Sequence, residues 1–312
     1  MDLRAIAGAW GAPTSPRPSL PPGAEREGPA RREGVSGIAR WALGFFFGVL
    51  FIFPLPARAL LPCDPCLLES GTYRAIPPPH WNGRDKLPVL LFLHGWQATG
   101  SDMVADEAIS GPAAKEGFLL IAPDGEAGTW SFTGAPSQGR DDIAFLREVV
   151  ADAGRRWPLD EANVVAGGFS IGGSMVWELA CHAADPFSAF LSFSGGFWEP
   201  LPQSCTAGPV NLRHVHGRAD TTVPLSGRLI GGRWRQGDII RGFNVWVTDD
   251  RCRPEPESRE RDGELDCAIW PGCESGRALQ LCLHGRDHMI DPAWLDGGLR
   301  WALALPAAAR GR

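Results

Sequence analysis

No internal repeat runs through the 312 residues, and beyond the first sixty no Ser- or Thr-rich linker marks off a second module. Solenoid and propeller folds are thereby excluded, and a separate module for gripping an insoluble polymer is not expected. There is no basic patch and no stripe of aromatics interleaved with Lys and Arg, so nucleic acid is not an expected partner. The apolar run from Trp41 to Pro56 is sixteen residues long and closes on Pro54 and Pro56, short of the ~20 residues that span a bilayer. Apart from Cys63-Asp64-Pro65-Cys66, the cysteines are irregularly spaced and lack the paired Cys-x-x-Cys of a zinc site. That one pair also lacks the strand-to-helix setting of a thioredoxin motif. No metal and no cofactor is expected.

The first forty residues are rich in Pro, Gly, Ala and Arg without sustained periodicity, which predicts disorder or a start site annotated too far upstream. Arg40, the run Trp41 to Pro56 and Ala57-Arg58-Ala59 then read as the positive flank, apolar core and small-residue cleavage site of a signal peptide. Residues 1–59 are therefore expected to be a disordered extension plus signal peptide, and residues 60–312 a single folded domain, secreted or periplasmic and free of the membrane after cleavage. Cutting there removes seven Arg and four acidic residues and takes the formal charge from −6 to −9, which suits a neutral partner better than an anionic polymer. Eight cysteines, an even number in an exported chain, read as disulfides. Pairing in sequence predicts Cys252–Cys267 and Cys273–Cys282. Cys181–Cys205 is the third expected bridge, with Cys63 and Cys66 a local clip or linked elsewhere.

The strongest chemical signal is Gly168-Phe169-Ser170-Ile171-Gly172, preceded by the apolar Asn163-Val164-Val165-Ala166 and followed by Gly173-Ser174-Met175-Val176-Trp177-Glu178-Leu179. It reads as strand, sharp turn and helix, the nucleophile elbow in which small neighbours let a Ser hydroxyl stand at a helix N-terminus. An acid and a base follow in the required order. Asp220 lies in a turn after Val210-Asn211-Leu212-Arg213-His214-Val215-His216, and His288 lies on a loop after Leu279-Gln280-Leu281-Cys282-Leu283. Each sits past the C-terminal end of an expected strand, where an open parallel sheet places its chemistry. The run Pro88 to Leu93 ends in His94-Gly95-Trp96; the backbone N–H groups of Trp96 and of Ile171 are the expected oxyanion donors. Simpler readings exist for each: Ser170 as a helix N-cap, Asp220 as a turn residue with Asp249 or Asp250 as the acid, and His284 or His216 as the base. Asp287 reads as a solvated neighbour. Trp96, Trp130, Trp198 and Trp270 are candidates for an aromatic substrate wall.

The chain resembles the secreted polyhydroxybutyrate depolymerase and feruloyl esterase family of α/β-hydrolases from about Cys63 to the C-terminus. The likeness rests on Gly71-Thr72-Tyr73-Arg74, His94-Gly95, Ala122-Pro123-Asp124-Gly125, Asp141 to Leu146, the elbow, His216-Gly217-x-x-Asp220-x-x-Val223-Pro224 and the cysteine-rich approach to His288. It implies a triad of Ser170, Asp220 and His288. Two departures are Met289-Ile290-Asp291-Pro292 where the family often has Trp-Pro soon after its His, and Trp96-Gln97-Ala98-Thr99 in place of a Cys- or Gly-rich run.

Expected strands lie near Tyr73 to Ile76, Pro88 to His94, Phe118 to Ala122, Asn163 to Gly167, Ser188 to Ser194, Val210 to His216 and Leu279 to Leu283. Helices are expected over Asp141 to Trp157, after Ser170, and from Asp291 or Pro292 to Leu305. Their alternation predicts an α/β-hydrolase fold, a mostly parallel sheet with helices on both faces. The insertion Leu229 to Gln236 is expected to shape the rim of the site. The implied activity is that of an exported serine esterase acting on soluble oligomers or short-chain esters without a cofactor. The alternatives are a feruloyl or acetylxylan carbohydrate esterase, a peptidase, an acyltransferase, and a non-catalytic binding protein on the same fold.

Overall fold

The alternate side chains of one strand explain the layers. On β3 (Leu87–Leu93) Val89, Leu91 and Leu93 enter one core, and Leu90 and Phe92 enter the other. A strand apolar on both faces must be covered on both. The computed structural model describes residues 63–310; the expected extension, signal peptide and boundary at residue 59 lie outside the described residues. The remaining strands are β1 (Cys66–Leu68), β2 (Gly71–Ile76), β4 (Leu119–Pro123), β5 (Leu159–Phe169), β6 (Ala189–Phe193), β7 (Leu212–Gly217), the short β8 (Leu229–Ile230) and β9 (Trp234–Arg235), β10 (Ser258–Asp262), β11 (Leu265–Trp270) and β12 (Leu279–His284).

Ten of them form one sheet in the order β1-β2-β4-β3-β5-β6-β7-β12-β11-β10. The six from β4 to β12 are mutually parallel, and an antiparallel pair extends each edge. Helices Asp142–Arg156, Ile171–His182 and Ile239–Asp249 bury their apolar stripes on one face, and Glu107–Lys115 and Pro292–Ala304 on the other. Asp141 caps its helix by accepting the Ala144 N–H, and Arg155 and Arg156 close the last turn, as the helix dipole favours. From β3 the chain moves to β4 on one side and to β5 on the other. Ends of strands at such a reversal of order leave a crevice, and here the ends are His94 and Ser170.

Two expectations are corrected. The segment between Cys252 and Cys282, where no strand is expected before Leu279, contains β10 and β11, which continue the sheet from β12. Cys267 and Cys282 are direct partners across β11 and β12 and form a disulfide, leaving Cys252 to pair with Cys273. Pairing in sequence fails because strand register, invisible in Cys spacing, sets which thiols meet. Cys181–Cys205 forms as expected, and Cys63 and Cys66 close the local clip, one of the two arrangements left open for them. Among the described residues no helix is long and apolar enough to cross a membrane.

Candidate active site

The elbow is built by close backbone approach. Ser170 has φ 58° and ψ −122°, a region that a side chain tolerates only when its surroundings enforce it. Here the Ser170 N–H donates to the Phe193 carbonyl at 2.9 Å. A Cβ on Gly168 would lie 2.5 Å from the Gly172 carbonyl oxygen, and one on Gly172 would lie 2.2 Å from that of Leu93. Only glycine fits either place. Ser170 therefore stands at the start of the helix Ile171–His182 without capping it by its side chain. The N-cap reading is set aside.

The three residues expected to act together meet. His288 Nε2 lies 2.9 Å from Ser170 Oγ, and Nδ1 lies 2.7 Å from Asp220 Oδ2. The other carboxylate oxygen accepts the N–H groups of Thr222 at 2.9 Å and Val223 at 2.7 Å. Burial pushes the Asp220 carboxyl up, but the hydrogen bond and charge of His288 and the Val223 N–H outweigh it and hold it below the usual carboxylate range. With Oδ2 accepting from Nδ1, the neutral imidazole presents a bare Nε2 to the serine hydroxyl.

The oxyanion candidates belong to segments beside the elbow. Ile171 opens its helix, so its N–H has no intrahelical acceptor. A Cβ on Gly95 would sit 3.6 Å from the Ser170 Cβ, which puts Trp96 one residue from the elbow. The turn is held by His94, which is fully buried. Its Nδ1–H donates to the Gly95 carbonyl at 2.7 Å and its Nε2 accepts the Gly125 N–H at 2.9 Å. Burial lowers its pKa and keeps it neutral for both bonds.

Other sequence candidates have different work. Asp249 and Asp250 sit at the end of the helix Ile239–Asp249, where their carboxylates accept the backbone N–H groups of Cys205 and Val210. His216 and His284 are buried; His216 donates to the Val223 carbonyl and His284 Nδ1 accepts the Arg286 N–H. The aromatic wall is not assembled as expected, since Trp130, Trp198 and Trp270 are buried at 0%, 5% and 5% exposure, with Trp130 donating to the His94 carbonyl and Trp270 to that of Arg253. Trp96 alone of the four is partly exposed. The insertion folds as the hairpin β8–β9, tied by a bridge between Gln236 and Trp198 beyond the C-terminal end of β6.

Two contributors were not legible. Asp287, read as a solvated neighbour, accepts the N–H groups of Thr221 at 3.0 Å and His288 at 2.8 Å, so it ties the loop of His288 to the loop of Asp220. Phe169 packs against His288 with ring centroids 4.8 Å apart and planes tilted by 39°. The motif left that position open; only its contact with a residue 119 places later gives it a role.

Comparison with known proteins follows the same line. The NocK protein of Nocardia uniformis subsp. tsuyamanensis, provisionally named an esterase, is 30% identical over 225 residues, 64% of this chain and 64% of that protein. Feruloyl esterase C of Emericella nidulans is 26% identical over 187 residues, 59% of this chain and 58% of that protein. The bifunctional acetylxylan esterase/xylanase XynS20E of Neocallimastix patriciarum is 28% identical over 238 residues, 72% of this chain and 32% of that protein. The chain spans less than two thirds of the length of each of these three. The solved structure of an acetyl xylan esterase from Aspergillus awamori superposes with a TM-score of 0.53 at 14% identity, over 74% of this chain and 93% of that one. The structure of pOPH gives 0.52 at 16% identity, over 80% and 91%. At such identities the likeness is one of fold. No family model matches the chain. Its sheet order, its Gly-x-Ser-x-Gly elbow and these neighbours show an α/β-hydrolase fold, and its sequence is similar to proteins named feruloyl esterase.

Proposed function

We propose that this protein is an exported serine esterase. The observation that carries the reading is the imidazole of His288 bridging Ser170 and Asp220 at 2.9 and 2.7 Å. His288 takes the proton of the Ser170 hydroxyl as Oγ bonds to the ester carbonyl carbon, and the N–H groups of Trp96 and Ile171 receive the negative charge that moves to the carbonyl oxygen. The proton passes from His288 to the departing alcohol oxygen. Water, deprotonated by the same imidazole, then releases the acid and regenerates Ser170. Asp220 orients the ring and stabilises its cation. A binding protein on this fold would have no use for a serine in a strained turn facing a base.

For the acyl group, relatives named feruloyl esterase and acetylxylan esterase favour an ester carried on a carbohydrate over polyhydroxybutyrate oligomers. Four disulfides support an oxidising, extracellular or periplasmic setting. The test is to treat the folded, oxidised protein with a fluorophosphonate probe and map the label, then compare methyl ferulate, acetylated xylan and 3-hydroxybutyrate oligomers as substrates. Label on Ser170 with turnover of an ester is expected, and Ser170→Ala should lose at least ~10³-fold in kcat. A folded sample that neither labels nor turns over any ester sinks the proposal.

A further inference from the structure

The strand that leads to Asp220 carries two imidazoles that the ester chemistry leaves unused. His214 and His216 on β7 are both 0% exposed. Burial pushes His216 down to about 4 and His214 well below the usual range, so each is a neutral ring with one N–H and one acceptor nitrogen. The Trp177 indole, which can only donate, faces His214 Nδ1 at 3.2 Å. That nitrogen must accept, and the His214 proton sits on Nε2. Nε2 lies 3.0 Å from His216 Nδ1, which must accept in turn. The His216 proton therefore sits on its Nε2, 2.7 Å from the Val223 carbonyl oxygen and 3.5 Å from Asp220 Oδ2. The Ser192 hydroxyl, 3.1 Å from His214 Nδ1 and 3.1 Å from the Gly173 carbonyl, can donate to either and does not reverse this order.

We propose that Trp177, His214 and His216 are positioning residues, a one-directional hydrogen-bond chain from the helix that starts at the nucleophile to the loop that holds the acid. The proposal rests on the triad reading above. Its end point is specific: Val223, whose carbonyl accepts from His216, is the residue whose N–H binds Asp220 Oδ1. The opposite His216 tautomer would turn a lone pair toward that carbonyl and toward Asp220, setting acceptor against acceptor. Trp177 thereby fixes, through two rings, the proton that keeps the Asp220 loop closed and its carboxylate aligned with His288. His288 and His284 are the other titratable groups that bear electrostatically on His216.

The test combines NMR and kinetics on the full-length, oxidised protein. Long-range 1H–15N spectra of histidine-labelled wild type should report both His214 and His216 as Nε2–H tautomers, whether or not Ser170 labels with the fluorophosphonate. Trp177→Phe should shift His214 to a mixture and lower kcat about tenfold at unchanged KM, the loss expected for one hydrogen bond acting on a charged group. His216→Gln, whose amide can accept from His214 and donate to Val223, should keep kcat within about threefold, whereas His216→Phe should not. Trp246→Phe is the control for packing alone: that indole is equally buried, stacks edge-on against Trp177, and its N–H has no partner, so kcat should hold. An Nδ1–H tautomer at His216 in the wild type, or equal effects of Trp177→Phe and Trp246→Phe on kcat, overturns the chain. Failure of Ser170 to label overturns the triad reading instead.

Discussion

Asp220 and Asp250 have the same chemistry and nearly the same burial, 5% and 0% exposed, yet their carboxyls move in opposite directions. Around Asp220 both oxygens are engaged, by two backbone N–H groups and the His288 ring, and the pKa falls. Around Asp250 one oxygen accepts a single long bond of 3.3 Å from Val210 and the other has no partner. Burial, with the Asp249 charge next to it, pushes this carboxyl up to about 7. Burial raises both; the number of donors supplied by the local backbone decides the outcome. A turn that offers N–H groups to the carboxylate favours its charged form, and a helix end that offers carbonyls favours the protonated one.

Exchanging each carboxylate for an amide is the sharpest way to break that contrast. Asp220→Asn should lower kcat by about 10³- to 10⁴-fold, because the amide no longer selects the Nδ1–H tautomer of His288. Asp250→Asn should leave kcat unchanged; ester hydrolysis assays of the two variants side by side decide it. Next in size is removal of the bridge near Asp250. Cys252 and Cys273 close a loop with a sequence separation of 21, and replacing both with Ala should cost about 3 kcal/mol, measured by urea unfolding. The same change should admit water to Asp250 and lower its pKa.

The third prediction concerns pH. Asp250 has a folded pKa near 7, above its unfolded value, so its contribution to stability is complete below the unfolded pKa and is lost as pH rises toward 7. Asp220 is shifted down, so its contribution is present above the unfolded pKa and is lost as pH falls through the folded one. Between about pH 4 and 7 Asp250→Asn should flatten the decline of stability expected of the wild type, a difference of up to a few kcal/mol in chemical denaturation. An unchanged pH profile would mean that Asp250 is ionised in the fold. Smallest of all, Asp287→Ala should cost roughly 1 kcal/mol in kcat/KM, by freeing the backbone of Thr221 and His288.

The elements that were legible are those whose signal is local. Val89 to Leu93 announce a strand buried on both sides, and the expected bounds of the helix at Asp141 to Trp157 fall within one residue of Asp142–Arg156. Gly168, Ser170 and Gly172 carry the elbow in five residues because that turn admits nothing larger. Charged Ser258–Asp262 hid an edge strand: its side chains are mostly exposed, so no apolar alternation betrays it.

By itself the sequence determined the α/β alternation, the elbow, and the order in which Ser170, Asp220 and His288 follow one another past the ends of strands, since backbone sterics and periodicity act over a few residues. Only the tertiary structure decided what depends on residues far apart in the chain. It brought His288, and not His216 or His284 at the ends of neighbouring parallel strands, within hydrogen-bond reach of Ser170, and it paired Cys267 with Cys282 through strand register. It also moved the Asp220 and Asp250 carboxyls in opposite directions through the groups that close around each. Contacts of that range are set by how the sheet is ordered and which faces its helices cover, and no short stretch of chain encodes them.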